Sequence, residues 1–161
     1  MSLKMNIKRI NITVTLLLIS VHVPAIAHQH EAGVVPSSEK AIAQDLGVEG
    51  PIESKGIGEI KVLGMMPLDG ELGETKGLVM RVREITLLPG GRVAVHQHTA
   101  RPGAAYVVEG DLVEHRNDTE GPLLRGAGDV ALEKTGVIHW WENTSSKSAK
   151  VVVVDIIASE D

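Results

Sequence analysis

The sequence predicts an all-β domain, a sandwich or a barrel, and three observations carry that expectation. From about residue 59 the apolar residues fall into short runs at near-regular spacing, divided by turn residues. No helical stretch interrupts those runs, which is the pattern of sheets closed on themselves or stacked face to face. The third observation is composition. Tyr106, Trp140 and Trp141 are the only aromatic residues and Phe is absent, so the core must be Val, Ile, Leu, Ala and Met. The β-branched members of that set favour strands.

The 161 residues divide into three parts. Residues 1–27 read as an export signal: Lys4, Lys8 and Arg9 give a basic start, Ile10 to Val23 an apolar stretch, and "PAIA" ends in the small-x-small pattern of a cleavage site. The apolar stretch is short for a membrane span, which takes about 20 residues; the alternative is an uncleaved anchor. Residues 28–57 read as a tether with no core of its own, holding one short helix in "SSEKAIAQDLG" with Ser37 or Ser38 as N-cap and Gly47 as its end. Residues 58–161 form the barrel. Its strands are expected in "EIKVLGMM", "GLVMRVREITLL", "RVAVHQH", "AAYVVEG", "DLVEHR", "DVALE", "GVIHWWEN" and "AKVVVVDII". In "GLVMRVREITLL" neither face is purely apolar, so Arg81 and Arg83 or Glu84 point toward a polar interior or an interface. "VVVV" at 151–154 lacks alternation and is expected to be covered on both faces.

Charge and cysteine content narrow the function classes. The chain has net charge −5, and residues 1–27 carry three basic and no acidic side chains, so cleavage would leave −8. An acidic domain is a poor partner for nucleic acid or an anionic membrane surface. No cysteine is present, which excludes disulfides, thiolate metal sites and a cysteine nucleophile. An exported chain without disulfides fits the periplasm or the exterior, with no stable membrane span after cleavage.

The chemistry concentrates in "GRVAVHQHTARPGAAYVVEG", residues 91–110. On an extended strand His96 and His98 share a face, about 7 Å apart along the backbone. Two such imidazoles can converge on one ion at about 2.0–2.1 Å from each nitrogen. In a chain with seven histidines this pair also fits exposed or hydrogen-bonded residues. A third candidate, His139 in "GDVALEKTGVIHWWEN", stands on another strand.

With that third histidine the sequence resembles the cupin superfamily of small barrels. The first cupin motif runs Gly, five residues, His-x-His, a few residues, Glu, six residues, Gly; here Gly90, His96, His98 and Gly110 fall in register. The second runs Gly, five residues, Pro-x-Gly, two residues, His, three residues, Asn; here Gly128, Gly136, His139 and Asn143 fall in register. Lys134 stands at the usual Pro, and Gly103 at the usual metal-binding Glu.

The resemblance implies a jelly-roll β-barrel and a mononuclear site of three neutral histidines, His96, His98 and His139. Some cupins that resemble thiol dioxygenases also lack the Glu and hold iron with three His. Three imidazoles suit Fe(II) foremost, with Ni, Cu, Zn or Mn as alternatives, and disfavour Mg and Ca. The open positions of such a site fit a dioxygenase acting on a small molecule; the alternatives are a non-enzymatic metal- or ligand-binding module and a metal-free barrel.

Substrate-binding candidates are Arg101, whose guanidinium suits a carboxylate, Tyr106 as a pocket donor, and Trp141, which shares strand parity with His139. Each also has a plain reading as a loop or core residue. Glu114 and His115 are either a replacement for the missing ligand or an exposed pair on a sheet edge. Barrels of this kind pair through their sheets, so a homodimer through the "VVVV" strand is a further expectation.

Overall fold

The computed structural model describes residues 33–159, and within them one helix and eight strands. The helix α1 (Ser37–Asp45) is followed by β1 (Lys55–Pro67), β2 (Leu78–Gln97), β3 (Gly103–Glu109), β4 (Asp111–Arg116), β5 (Leu123–Gly126), β6 (Val130–Glu133), β7 (Ile138–Glu142) and β8 (Ala149–Ala158). The export segment read at 1–27 lies outside the described residues. Among those described, no helix is long and apolar enough to cross a membrane.

The strands run in the order β5-β4-β7-β2-β8-β3-β6, with β1 also on β2, and every pairing is antiparallel. β2 makes this a nearly closed jelly-roll barrel rather than a flat sheet. Its first half, Leu78 to Leu87, pairs with β8, while Arg92 to Gln97 pairs with β7. One strand therefore serves both sheets, where the sequence suggested two strands separated by Pro89-Gly90-Gly91. Glycine permits the turn between the halves. Gly90 has φ 71°, and a Cβ on Gly91 would sit 2.7 Å from the Gly56 carbonyl oxygen and 2.8 Å from that of Leu88.

The core follows strand parity. Ile85 and Leu87 of β2, Ala105 and Val107 of β3, Leu112 of β4, Trp141 of β7 and Val151 and Val153 of β8 pack into one buried cluster. β8 alternates buried with half-buried residues, so Val151 and Val153 face the core while Val152 and Val154 lie on the outer face. The expectation of cover on both faces is corrected: β8 lacks polar residues because it lies between β2 and β3, not because a second layer covers it. Arg81 and Arg83 share the inner parity with Ile85, and Arg83 is only 2% exposed. The charge expected in the interior is there.

Two elements depart from the sequence expectation. β5 (Leu123–Gly126) was absent from it, since four residues between Gly121-Pro122 and Gly128 show no alternation and Leu124 is exposed. The region read as a tether packs on the barrel. Val35 joins the main cluster, and Ala43 packs with Val95 and Ile138. α1 lies where the sequence put it, but Pro36 is its N-cap and no side chain caps it, so Ser37 and Ser38 are helical residues. Gly47, with φ 68°, ends the helix as expected.

Candidate metal centre

β2 and β7 bring the histidines together. His96 and His139 are direct partners in their antiparallel register, next to a shift between Val93 and His96. His98 lies just past the end of β2, at a turn whose Arg101 amide donates to the His98 carbonyl, 3.3 Å. Ala100 in that turn has φ 62°. All three rings are buried: His96 is 5% exposed, His98 and His139 0%. The His139 Nε2 atom is 2.8 Å from His98 Nε2 and 3.2 Å from His96 Nε2. The parity argument for His96 and His98 and the expectation of a third imidazole meet at one point.

The outer nitrogens settle which form each ring takes. His96 Nδ1 is 2.8 Å from the Ala94 carbonyl oxygen, His98 Nδ1 is 3.2 Å from that of Arg101, and His139 Nδ1 is 2.8 Å from Glu114 Oε1. All three partners only accept, so each Nδ1 carries the proton and donates it. In the neutral form of each ring, Nε2 is then the lone pair that remains. Three lone pairs converging in a buried space repel one another unless a cation sits between them. The donor set fits a divalent transition metal, with Nδ1–H groups anchored as is usual for ligating imidazoles. Burial, then the neighbouring His139 and His98, hold His96 well below its ordinary pKa. Burial, then Arg101 and His139, lower His98 to about 3. Both rings are therefore neutral, as ligation requires.

Glu114 is the carboxylate that sequence reasoning only half placed. It is 0% exposed, not on an open edge, and it meets His139 on the Nδ1 side, so it orients that ring rather than replacing a ligand. Arg116 Nη1 and Arg125 Nε also donate to it, each at 2.9 Å. Burial alone would raise its pKa, but the hydrogen bonds from His139 and Arg116 outweigh burial and lower it. His115 lies away from the centre, stacked on Trp140 with 3.7 Å between ring centroids.

Beside the histidines is a cavity with an apolar wall that includes Ile85, Leu87, Val93, Leu112, Trp141, Val151 and Val153. Its polar lining is His96, His98, Arg83, Arg101 and Glu133. Trp141 is a wall residue, as its parity with His139 implied. Tyr106 is not: it is 45% exposed, on the parity opposite to buried Ala105 and Val107, and points to the outer face.

Arg101 lines the cavity, but its donors are already committed. Nε and Nη2 each donate to Glu39 of α1 at 2.6 Å, and Nη1 donates to Asp155 at 2.9 Å. The bidentate clamp that suits a substrate carboxylate is filled by the protein's own Glu39. Asp155 also receives Arg81 at 2.7 Å and Arg83 at 3.1 Å. Arg83 keeps a buried Nε–H without a partner. Burial, together with Arg81 and Arg101, lowers Arg83 to about 10, so it remains a cation at neutral pH.

Sequence reasoning missed Glu133 altogether. It is 5% exposed, and its Oε2 atom, also without a partner, is the only such side-chain atom besides Arg83 Nε among the described residues. The alternation of "VALE", with Ala131 and Glu133 buried, was the signal available. What it could not supply is the pairing of Glu133 with Gly103 across β3 and β6.

Residues 83–155 match the cupin domain family. Among solved structures the chain is similar to KdgF from Halomonas sp., at 16% identity and TM-score 0.48 over 64% of this chain and 86% of that one. It is also similar to a Cupin 2 conserved barrel domain protein from Salinispora arenicola, at 15% identity and TM-score 0.47 over 60% and 73%. A third is a predicted oxalate decarboxylase from Thermotoga maritima, at 22% identity and TM-score 0.44 over 65% and 97%. No curated protein matches the chain by sequence. The matched span contains all three histidines and both arms of the β2–β7 pairing that joins them, so the similarity to the cupin domain family covers the whole of the histidine cluster.

Proposed function

We propose that this protein is an exported cupin that binds one divalent transition metal through the Nε2 atoms of His96, His98 and His139 and acts on a small molecule as a dioxygenase. The observation that carries the metal reading is the geometry of the three rings: each Nδ1 faces an acceptor on the outside, and the three ligand nitrogens lie within 4.8 Å of one another at one buried point. Imidazole donors favour Fe(II), Ni, Cu or Zn over Mg and Ca, and Fe(II) is the metal that suits dioxygen chemistry. A bound Fe(II) would supply open positions for dioxygen and substrate.

The chain's own residues account for the rest. The apolar wall with Trp141 excludes bulk water. Arg83, with one free buried N–H on a retained cation, favours a small molecule that carries an anionic group. Arg101 contributes charge to the same wall while holding Glu39 and Asp155 in place. The basic, apolar, "PAIA" start supports export to the periplasm or exterior.

A homodimer is part of the same reading. On the outer face, Leu132, Ala104, Val154 and Val82 form one cross-strand row, and Tyr106 lies between Val130 and Val152 in the next. A face that apolar suits a second copy of the sheet.

Elemental analysis of protein purified from its native compartment tests the metal, and oxygen consumption with anionic substrates tests the activity. Stoichiometric iron with turnover is expected. Metal without turnover would leave a binding module, and no metal in either wild type or the triple His→Ala variant would leave a bare barrel.

A further inference from the structure

Glu133 stands on β6 directly opposite Gly103 of β3, with its side chain on the inner parity. Gly103 has no room for a side chain of its own. A Cβ there would lie 2.7 Å from the Val154 carbonyl oxygen, a backbone atom, and 3.2 Å from Glu133 Oε2. The space inside position 103 is thus occupied by a carboxylate reaching in from the facing strand. That carboxylate is buried, Oε2 has no hydrogen-bond partner, and Oε1 is 3.7 Å from His139 Nε2. Oε2 is 3.7 Å from His98 Nδ1.

Other acidic groups near the centre are committed elsewhere. Asp155 receives Arg81, Arg83 and Arg101, Glu39 receives Arg101, and Glu114 lies behind His139 on its Nδ1 side. A buried carboxylate oxygen without a donor is costly, and a cation is the partner that relieves it.

Distance leaves the same partner within reach. Donors about 2.1 Å from a shared ion stand about 3.0 Å apart in an octahedral site and about 3.4 Å apart in a tetrahedral one. The 3.7 Å between Glu133 Oε1 and His139 Nε2 is about 0.3 Å beyond the tetrahedral edge and about 0.7 Å beyond the octahedral one, so ligation takes a rotation of the Glu133 side chain.

We propose that Glu133 is the fourth protein ligand, so that the centre is three imidazoles and one carboxylate contributed from β6. This rests on the metal-binding reading above. The ligand set then has one negative charge, which holds a divalent ion more tightly than three neutral rings. It also leaves fewer positions open, two rather than three in an octahedral site.

The test uses the full-length protein loaded with Co(II) or Zn(II). Chelator competition measures affinity in wild type and Glu133→Gln, and X-ray absorption of the wild type counts and identifies the donors. The expected result is a loss in Glu133→Gln above the roughly 10–100-fold typical of outer-shell partners, with a changed Co(II) absorption spectrum. In the wild type, a carboxylate oxygen at about 2.0–2.2 Å is expected beside three imidazoles.

Wild type that binds metal through imidazoles alone, with affinity unmoved by Glu133→Gln, overturns this assignment and leaves the metal-binding reading standing. A carboxylate joined to the ion only through a water overturns it as well. Wild type that binds no metal overturns both. If Glu133→Gln fails to fold, the wild-type absorption spectrum still decides.

Discussion

Glu114 Oε1 accepts the Nδ1–H of His139 at 2.8 Å, and both side chains are wholly buried. The bond fixes the tautomer of one imidazole, and with it the direction of a lone pair at the centre of the barrel. Removing the carboxylate by Glu114→Ala also takes an acceptor from Arg125 and from Arg116, which keeps Asp118. The expected outcome is about 3–5 kcal/mol of lost stability, the range for breaking a buried ion pair. Glu114→Gln retains an acceptor oxygen, so a smaller stability loss is expected, with metal affinity lowered roughly 10–100-fold. Urea unfolding and chelator competition separate the two effects.

Metal binding should appear as stability. A ligand that binds only the folded state adds about 4.1 kcal/mol when its free concentration is a thousand times Kd. Thermal unfolding of the chelator-stripped protein should therefore shift upward on adding Fe(II), Co(II) or Zn(II), and not on adding Mg or Ca. The shift should vanish in His96→Ala and in His139→Ala. An equal shift in those variants would place the metal elsewhere.

Asp155 is expected to contribute to an acid limb in the stability profile. Burial alone would raise its carboxyl pKa, but the hydrogen bonds from Arg81 and the charges of Arg83, Arg81 and Arg101 lower it. A carboxyl whose folded pKa is depressed contributes stability above its unfolded value, about 3.9, and that contribution fades as pH falls through the folded value. The Asp155 contribution should therefore be complete at neutral pH and drain away below about pH 4. Denaturation between pH 3 and 7 should show Asp155→Asn already destabilised at pH 7, with a flatter acid limb than wild type. Parallel limbs would assign the acid sensitivity to other groups.

Arg101 ties the N-terminal segment to the barrel. It bridges Glu39 on α1 and Asp155 on β8 with three charge-assisted hydrogen bonds. Arg101→Ala leaves Glu39 buried and unpaired while Asp155 keeps Arg81 and Arg83, with an expected cost of about 3–5 kcal/mol. Glu39→Gln should loosen α1 selectively. Hydrogen exchange is expected to speed up in residues 37–45 while the β2 and β8 amides stay protected. A double-mutant cycle over Glu39 and Arg101 should return a coupling of at least about 0.5 kcal/mol.

The outer face makes oligomerisation testable. Leu132→Asp and Val154→Asp place charge in the apolar row without touching the cavity. Light scattering should find a wild-type dimer and monomeric variants that still bind metal. A monomeric wild type at high concentration would remove the dimer from the proposed function.

Much of this protein is determined by local sequence. Period-two alternation, turn residues and a Val-Ile-Leu core specify an all-β chain, and the spacings around Gly90, His96, His98, Gly128, His139 and Asn143 place His96 and His139 on barrel strands and His98 at a strand end. The continuity of β2 through Pro89-Gly90-Gly91 was not legible, because the same glycines can break a strand or bend one. Closure chooses the bend: the Asn143 amide donates to the Gly91 carbonyl at 2.9 Å and the Gly90 amide to the Asn143 carbonyl at 2.8 Å, across the two motifs.

The tertiary structure decided the charges. Arg101 looked like a free anchor, yet Glu39, 62 residues earlier in the chain, fills its fork. Glu133 drew no notice in the sequence, yet register sets it opposite Gly103 and beside the imidazoles. Parity gives the face a side chain points to. Only the folded pairing of distant strands decides which opposite charge, or which lone pair, it meets there.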